Sequence, residues 1–261
     1  MTLDLYDLLS GWAIPFMLAL TRIGAMVYAF PFLGSPAVPN RAKIAFTLVL
    51  AFSILPIIGT ENLGRDWGLA QLTLALATET AVGLVIGFGS KFLFEAFSIA
   101  GTFAGRQMGF AIADLVDPIT AAPQSMVGQF WALVAILLFV VLDGHLFLIS
   151  FLIENYQVVP MGGAALTAAT GQTLVTGSAD MFQVALRLAA PALILTLMMD
   201  VGIAVMARAM PKFQIFFVAL PLKLLVGVFS LVVSLQLFQA VFSTMFDEFR
   251  NYLMNLLVTM G

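Results

Sequence analysis

Eight ionisable side chains lie inside apolar runs of this chain: Arg22, Glu79, Lys91, Glu95, Asp143, Arg187, Asp200 and Lys223. Lys91 and Glu95 are four apart, a spacing that lets opposite charges pair on one helix face. Glu79 stands three turns earlier. Such a set reads in two ways. It could relay protons or cations, or it could form ion pairs satisfied inside a helical bundle, the ordinary way buried charge is tolerated. Asp143-Gly144-His145 could handle protons, but side chains two apart do not face each other on a regular helix. No nucleophile accompanies them. The chain has no cysteine and one histidine, so thiol chemistry is excluded and a metal cluster has few ligands to use. No phosphate-binding loop, zinc signature or Ser/His/Asp arrangement is present. The residues therefore point away from an enzyme, with no catalytic or metal site and no cofactor.

The elements that must hold these charges are read from composition. Hydrophobic residues make up 62% of 261 positions and charged residues 10%, against about 45–50% and about 25% in soluble domains. The apolar runs are continuous rather than alternating, which selects helices over a membrane barrel. The chain reads as an all-α membrane protein. A net charge of −3 with no basic stripe argues against nucleic acid. Asp4 and Asp7 occupy the place of a basic leader region, and the apolar run after them is too long for a signal peptide. A retained first segment is expected.

Six runs follow in order: Leu8 to Leu33, Ile44 to Ile58, Leu69 to Ala104, Met126 to Ile153, Met181 to Ala207 and Phe213 to Met245. The second is shorter than the ~20 residues a straight span needs, and the third is nearly twice too long. Residues 154–180 read as a weakly hydrophobic link rich in Gly, Ala and Thr. A short polar tail, Asp247 to Arg250, precedes a last apolar patch. Arg41, Lys43, Arg106, Arg208 and Lys212 fall in odd connections, against Arg65 and Arg250 elsewhere. That bias favours odd connections on the cytoplasmic side. Each charge inside a run would cost about 2.5–3.5 kcal/mol facing lipid at mid-membrane. The uneven runs and eight such charges point to helices packed in a larger assembly or around a wet cavity.

Between the third and fourth runs lies Gly101 to Gln124, GTFAGRQMGFAIADLVDPITAAPQ. Gly101, Gly105 and Gly109 repeat every four residues, as do Gly83 and Gly87 upstream. On a helix this puts small residues on one face, where a neighbouring backbone can approach closely. Asp117-Pro118 and Pro123 discourage helix at the residues before each proline. Met108, Phe110, Ile112, Leu115 and Val116 make the stretch too apolar for an ordinary loop in water. From the residues alone it is either a greasy connection or a deformable seal.

The chain as a whole resembles the FliR/SctT family of type III secretion export-gate subunits. The likeness is carried by Arg22-Ile23-Gly24, Pro31 and Val38-Pro39-Asn40-Arg41-Ala42-Lys43-Ile44. It continues through Glu79 with Gly83 and Gly87, then Ala100-Gly101, Gln107-Met108-Gly109-Phe110 and Asp117-Pro118. Asp143-Gly144-His145, Pro191, Pro211 and Leu220-Pro221-Leu222-Lys223 with Gly227 complete it. Lys212-Phe213-Gln214-Ile215 departs from the family's Gln-hydrophobic-Asn pattern.

The resemblance implies a non-enzymatic subunit of an export gate in the bacterial inner membrane, at the flagellar basal body. It would join FliP-like and FliQ-like subunits near FlhB and FlhA, forming helical hairpins in a pore-forming hetero-oligomer that exports unfolded protein. Membrane lipid would be a further partner. Residues 1–180 would be FliP-like, with a central plug loop at about 105–125, and 181–261 a FliQ-like hairpin. Met108, Gly109, Phe110, Ile112 and Leu115 would line or plug the pore. Gly83, Gly87, Gly101 and Gly105 would pack helices, and Glu79, Lys91, Glu95, Asp143 and His145 would be buried charge. An injectisome paralogue of the same gate and a proton-coupled secondary transporter are the alternatives.

Overall fold

The computed structural model describes residues 5–58, 68–110, 125–210 and 215–261. Seven helices are present among them: α1 Leu5–Ala29, α2 Asn40–Ile58, α3 Leu69–Gln107, α4 Met126–Val141, α5 Gly144–Val158, α6 Ala168–Ala209 and α7 Ile215–Val258. No strand occurs among the described residues. Five helices are long and apolar enough to cross a membrane, and the α4–α5 pair, broken at Leu142–Asp143, would make a sixth. The chain is an all-α membrane protein.

Four sequence expectations change. The second run is not short. Helix α2 begins directly after Pro39, whose carbonyl accepts the Ala42 and Lys43 N–H groups, and reaches 19 residues. Lys43 is consequently no free loop charge. It is buried, donates to the Gly34 carbonyl at 3.0 Å and lies over the Tyr28 ring. The fourth run is two helices. Asp143 has φ 55°, a left-handed conformation that a non-glycine residue adopts at a cost, and it ends the first helix and starts the next. The 154–180 link is mostly helical, because α5 runs to Val158 and α6 starts at Ala168. The polar tail is part of α7, which continues to Val258.

Helices α3, α6 and α7 hold 39, 42 and 44 residues. At 1.5 Å per residue they are about 58–66 Å long, against a hydrocarbon core of about 30 Å.

The contacts group into two compact units. One holds Met1–Phe92, Asp143–Gly177 and Glu248–Gly261; the other holds Leu93–Leu142 and Ser178–Asp247. Each unit thus draws on segments from both sides of residue 180. In the first, α1 and the start of α3 pack through glycines. A methyl added to Gly83 would meet the Arg22 carbonyl and come within 2.8 Å of Ala25 Cβ; one added to Gly87 would meet Ala29 and come 2.9 Å from the Met26 carbonyl. The end of α7 closes the start of α6, with Thr167 and Thr170 hydroxyls donating to the Thr259 carbonyl at 3.0 Å.

The core of the second unit is aromatic. Phe97 lies 4.7 Å from Phe238 and 5.3 Å from Phe242, and Trp131 meets Phe238 edge-on at 5.0 Å. Offset and edge-to-face rings are worth about 0.5–1.5 kcal/mol per pair beyond area burial. They join α3, α4 and α7 around the base of the Gly101 stretch.

Candidate functional site

Two constellations account for the polar residues of interest, one in each unit.

In the first unit the centre is Arg22, a fully buried arginine on α1. Its Nε donates to Glu79 Oε2, and Nη2 donates to Glu79 Oε1 at 2.9 Å. Nη1 donates to Asn155 Oδ1 and to the Val159 carbonyl at 2.9 Å, and Nη2 also reaches the Pro160 carbonyl at 3.4 Å. All five guanidinium N–H groups are thereby used, the full donor capacity of the side chain. The Val159 carbonyl belongs to the end of α5, where the helix dipole favours a cation. Tyr156 offers its ring face 4.3 Å from the guanidinium carbon. Glu79 is equally buried, and its Oε1 accepts the Gly162 N–H at 2.8 Å. Gly162 has φ 71°, so the turn after α5 needs a glycine there. One buried ion pair therefore joins α1, α3 and α5 and fixes the turn that leads to α6. Removing one member of such a pair strands a buried charge, at about 3–5 kcal/mol.

The other members of the sequence set do not join this pair. Lys91 and Glu95 are each half-buried, and the described residues place neither in an ion pair, although their spacing allows one. Asp143 and His145 lie on the surface of the chain rather than buried. The physical reason is the break at Asp143, whose carbonyl accepts the Leu146 and Phe147 N–H groups and starts α5. Arg187 and Arg106 are exposed as well.

In the second unit the site is the pair of ends of the Gly101 stretch. Helix α3 finishes at Gln107, and Gly109 turns the chain at φ 93°. The chain returns at Ser125, which caps α4 by accepting the Gly128 N–H at 3.0 Å. The two ends are clasped. A methyl on Gly101 would lie 2.7 Å from both Gly128 Cα and the Val127 carbonyl, and one on Gly105 would lie 2.9 Å from Ser125 Oγ. Gly128 reciprocates, with the Ser98 carbonyl 2.8 Å from where its Cβ would be. Backbones this close admit no side chain.

The departing end is held twice more. Met108 is fully buried with Ala104 and Ala192, and its side chain occupies the space a Cβ on Gly227 would need. Beside it, Gln107 Nε2 donates to Asp200 Oδ2 at 3.0 Å, and Lys223 Nζ bonds the same carboxylate at 2.9 Å. Phe110 is partly buried against the Met108 cluster. Ile112 and Leu115 lie outside the described residues. The Asp200–Lys223 pair and the partnering of Glu79 by Arg22 were missed by reasoning along single runs. The available signal was charge complementarity between different runs, which sequence spacing does not pair.

These observations define a polytopic helical membrane protein whose buried charges tie helices together and in which the end of α3 and the start of α4 are clasped. The chain belongs to the bacterial export proteins, family 1, whose profile matches residues 13–249. It is similar to the flagellar biosynthetic protein FliR of Escherichia coli K12, 28% identical over 95% of this chain and 94% of that one. It is also similar to the FliR proteins of Pectobacterium carotovorum, at 27% over 100% and 99%, and of Bacillus subtilis strain 168, at 28% over 94% and 95%.

Proposed function

We propose that this chain is a non-enzymatic subunit of the flagellar type III export gate in the bacterial inner membrane, where it helps form and seal the channel for unfolded flagellar proteins. Full-length similarity to proteins named for flagellar biosynthesis supports the flagellar role over the injectisome one. FliP-like and FliQ-like subunits, with FlhB and FlhA nearby, are the partners this reading requires. The division into a FliP-like part to residue 180 and a FliQ-like hairpin beyond it belongs to the same proposal.

The observation that carries the sealing role is the clasp. A segment of this apolarity, leaving at Gly109 and returning at Ser125, is held by helix contacts that leave no room for a methyl group. Such a base fixes the two points, Gly109 and Ser125, between which the segment runs. Within this reading Met108 acts as an anchor, being fully buried, and Phe110, Ile112 and Leu115 supply the sealing surface. Of the residues a transporter reading would rest on, Glu79 has no exposed surface and is bound by Arg22 and Gly162.

Co-purification tests the assignment. A tagged full-length chain should bring down FliP-like and FliQ-like proteins from its native membrane. Recovery of a stable monomer without them would oppose the proposal.

A further inference from the structure

We propose that Asp200 is a positioning residue for the last turn of α3, holding it to α6 and α7 through Gln107 and so setting where the chain leaves that helix. Gln107 is the final residue of α3, Asp200 lies on α6 and Lys223 on α7. Lys223 Nζ is 2.9 Å from each Asp200 carboxylate oxygen, and Gln107 Nε2 donates to Oδ2 at 3.0 Å. One carboxylate thus serves three helices. Its consequence for the seal rests on the function proposed above, whereas the placement of the turn does not.

The ion pair would be complete without Gln107. Lys223 already meets both oxygens, so neutralisation of charge accounts for α6 and α7 alone. The third bond is what brings in α3. The side chains of Lys223 and Asp200 are 22% and 36% exposed, and ion pairs with such access to the surface add little to stability. What this pair adds is direction: Lys223, in contact with both oxygens, holds the carboxylate in one orientation for the Gln107 donor.

The neighbouring apolar contact does not place the turn by itself. Met108 is buried with Ala104 and Ala192, and its side chain lies against Gly227. An unbranched thioether adapts to its surroundings, so this contact resists separation of α3 from α7 better than it resists rotation. Gln107 and Met108 project about 100° apart around the helix axis at 3.6 residues per turn. Two attachments in different directions fix the roll of the turn as well as its distance. On α7 they share one face: Leu220 lies beside Gly109, Lys223 holds Asp200 and Gly227 receives Met108. Gly109 then turns the chain at φ 93°, and the Phe110 N–H donates back to the Gly105 carbonyl at 3.1 Å. The roll of residue 107 is passed in this way to Phe110, which packs on the Met108 cluster.

The chain has no cysteine, so Phe110→Cys gives this subunit a single thiol. Its alkylation by a membrane-permeant maleimide in native membranes reads the placement of the turn. Gln107→Leu, which spares the ion pair, should raise the alkylation rate about tenfold, the shift that loss of one hydrogen bond to a charged group corresponds to. Asp200→Leu should do the same. Gln107→Glu sets two carboxylates together and should also raise the rate. Adding Asp200→Asn to it should restore the starting rate, because the new amide can donate to the new carboxylate while Lys223 keeps an anionic partner. A general fold defect would not be reversed by that second change. An unchanged rate in both leucine variants, or a rate that the exchanged pair fails to lower, would overturn the proposal. Resting conductance of the assembled gate, measured with the native Phe110, should rise in Gln107→Leu and return in the exchanged pair. The expected alkylation pattern with wild-type conductance throughout would support the placement and count against the sealing reading.

Discussion

The side chain of Met108 fills the space beside the Cα of Gly227: a methyl placed there would sit 2.6 Å from Met108 Cε and 3.1 Å from its Cβ. The contact locks the last turn of α3 to α7 at the point where the Gly101 stretch leaves the helix. Gly227→Ala should destabilise the chain by about 1–3 kcal/mol, the usual cost of overpacking. Met108→Ala should relieve much of that loss in the double variant. Thermal unfolding of the four chains in detergent measures the coupling, and strictly additive losses would argue against the contact.

The Arg22–Glu79 pair predicts an asymmetry. Arg22→Ala should cost about 3–5 kcal/mol, because it leaves Glu79 buried without a counter-charge. The exchange Arg22→Glu with Glu79→Arg should not restore stability. Asn155 and the Val159 and Pro160 carbonyls face position 22 and need a donor there. Membrane yield and melting temperature report both effects, and full recovery by the exchanged pair would contradict this geometry.

Gly101 and Gly128 should be intolerant in a way their neighbours are not. Gly101→Ala and Gly128→Ala each drive a methyl into backbone atoms, whereas Gly171 and Gly202 have open space around them. Alanine at the first two positions should lower the yield of folded chain severalfold. Alanine at the latter two should stabilise helix α6 by about 0.5–1 kcal/mol. Size-exclusion recovery after mild heating distinguishes them.

Asp143 stands in the left-handed region at φ 55°. Asp143→Gly should stabilise the α4–α5 break by up to about 1 kcal/mol, and Asp143→Val should destabilise it by more, because a β-branched residue pays most there. Melting temperatures of the two variants should move in opposite directions.

The helical character and the close-packing glycines were legible because apolar length and four-residue spacing are properties of single segments. Gly83 and Gly87 lie against residues of α1, and Gly101 and Gly105 against Ser125, Val127 and Gly128. The start of α6 was not legible. Its Gly, Ala and Thr composition lowers hydropathy, but helix there is stabilised by distant partners: Gly177 lies against the Tyr252 ring, and Thr170 bonds the Thr259 carbonyl. The Asp143 break was hidden because an Asp-Gly step inside an apolar run can continue a helix or end it. The charge pairings were hidden for a similar reason. Arg22 and Glu79 are 57 positions apart, so no local periodicity relates them. Met108 drew notice for its softness, but its role depends on Gly227, which belongs to the last helix.

The sealing role is tested most directly by ion conductance through the assembled gate. Ile112→Ser with Leu115→Ser, which spare the Met108 anchor and the glycine clasp, should leave assembly intact and raise resting conductance in planar bilayers well above the wild-type level. A resting conductance identical to wild type, with the variant subunit verified in the complex, would contradict the sealing role.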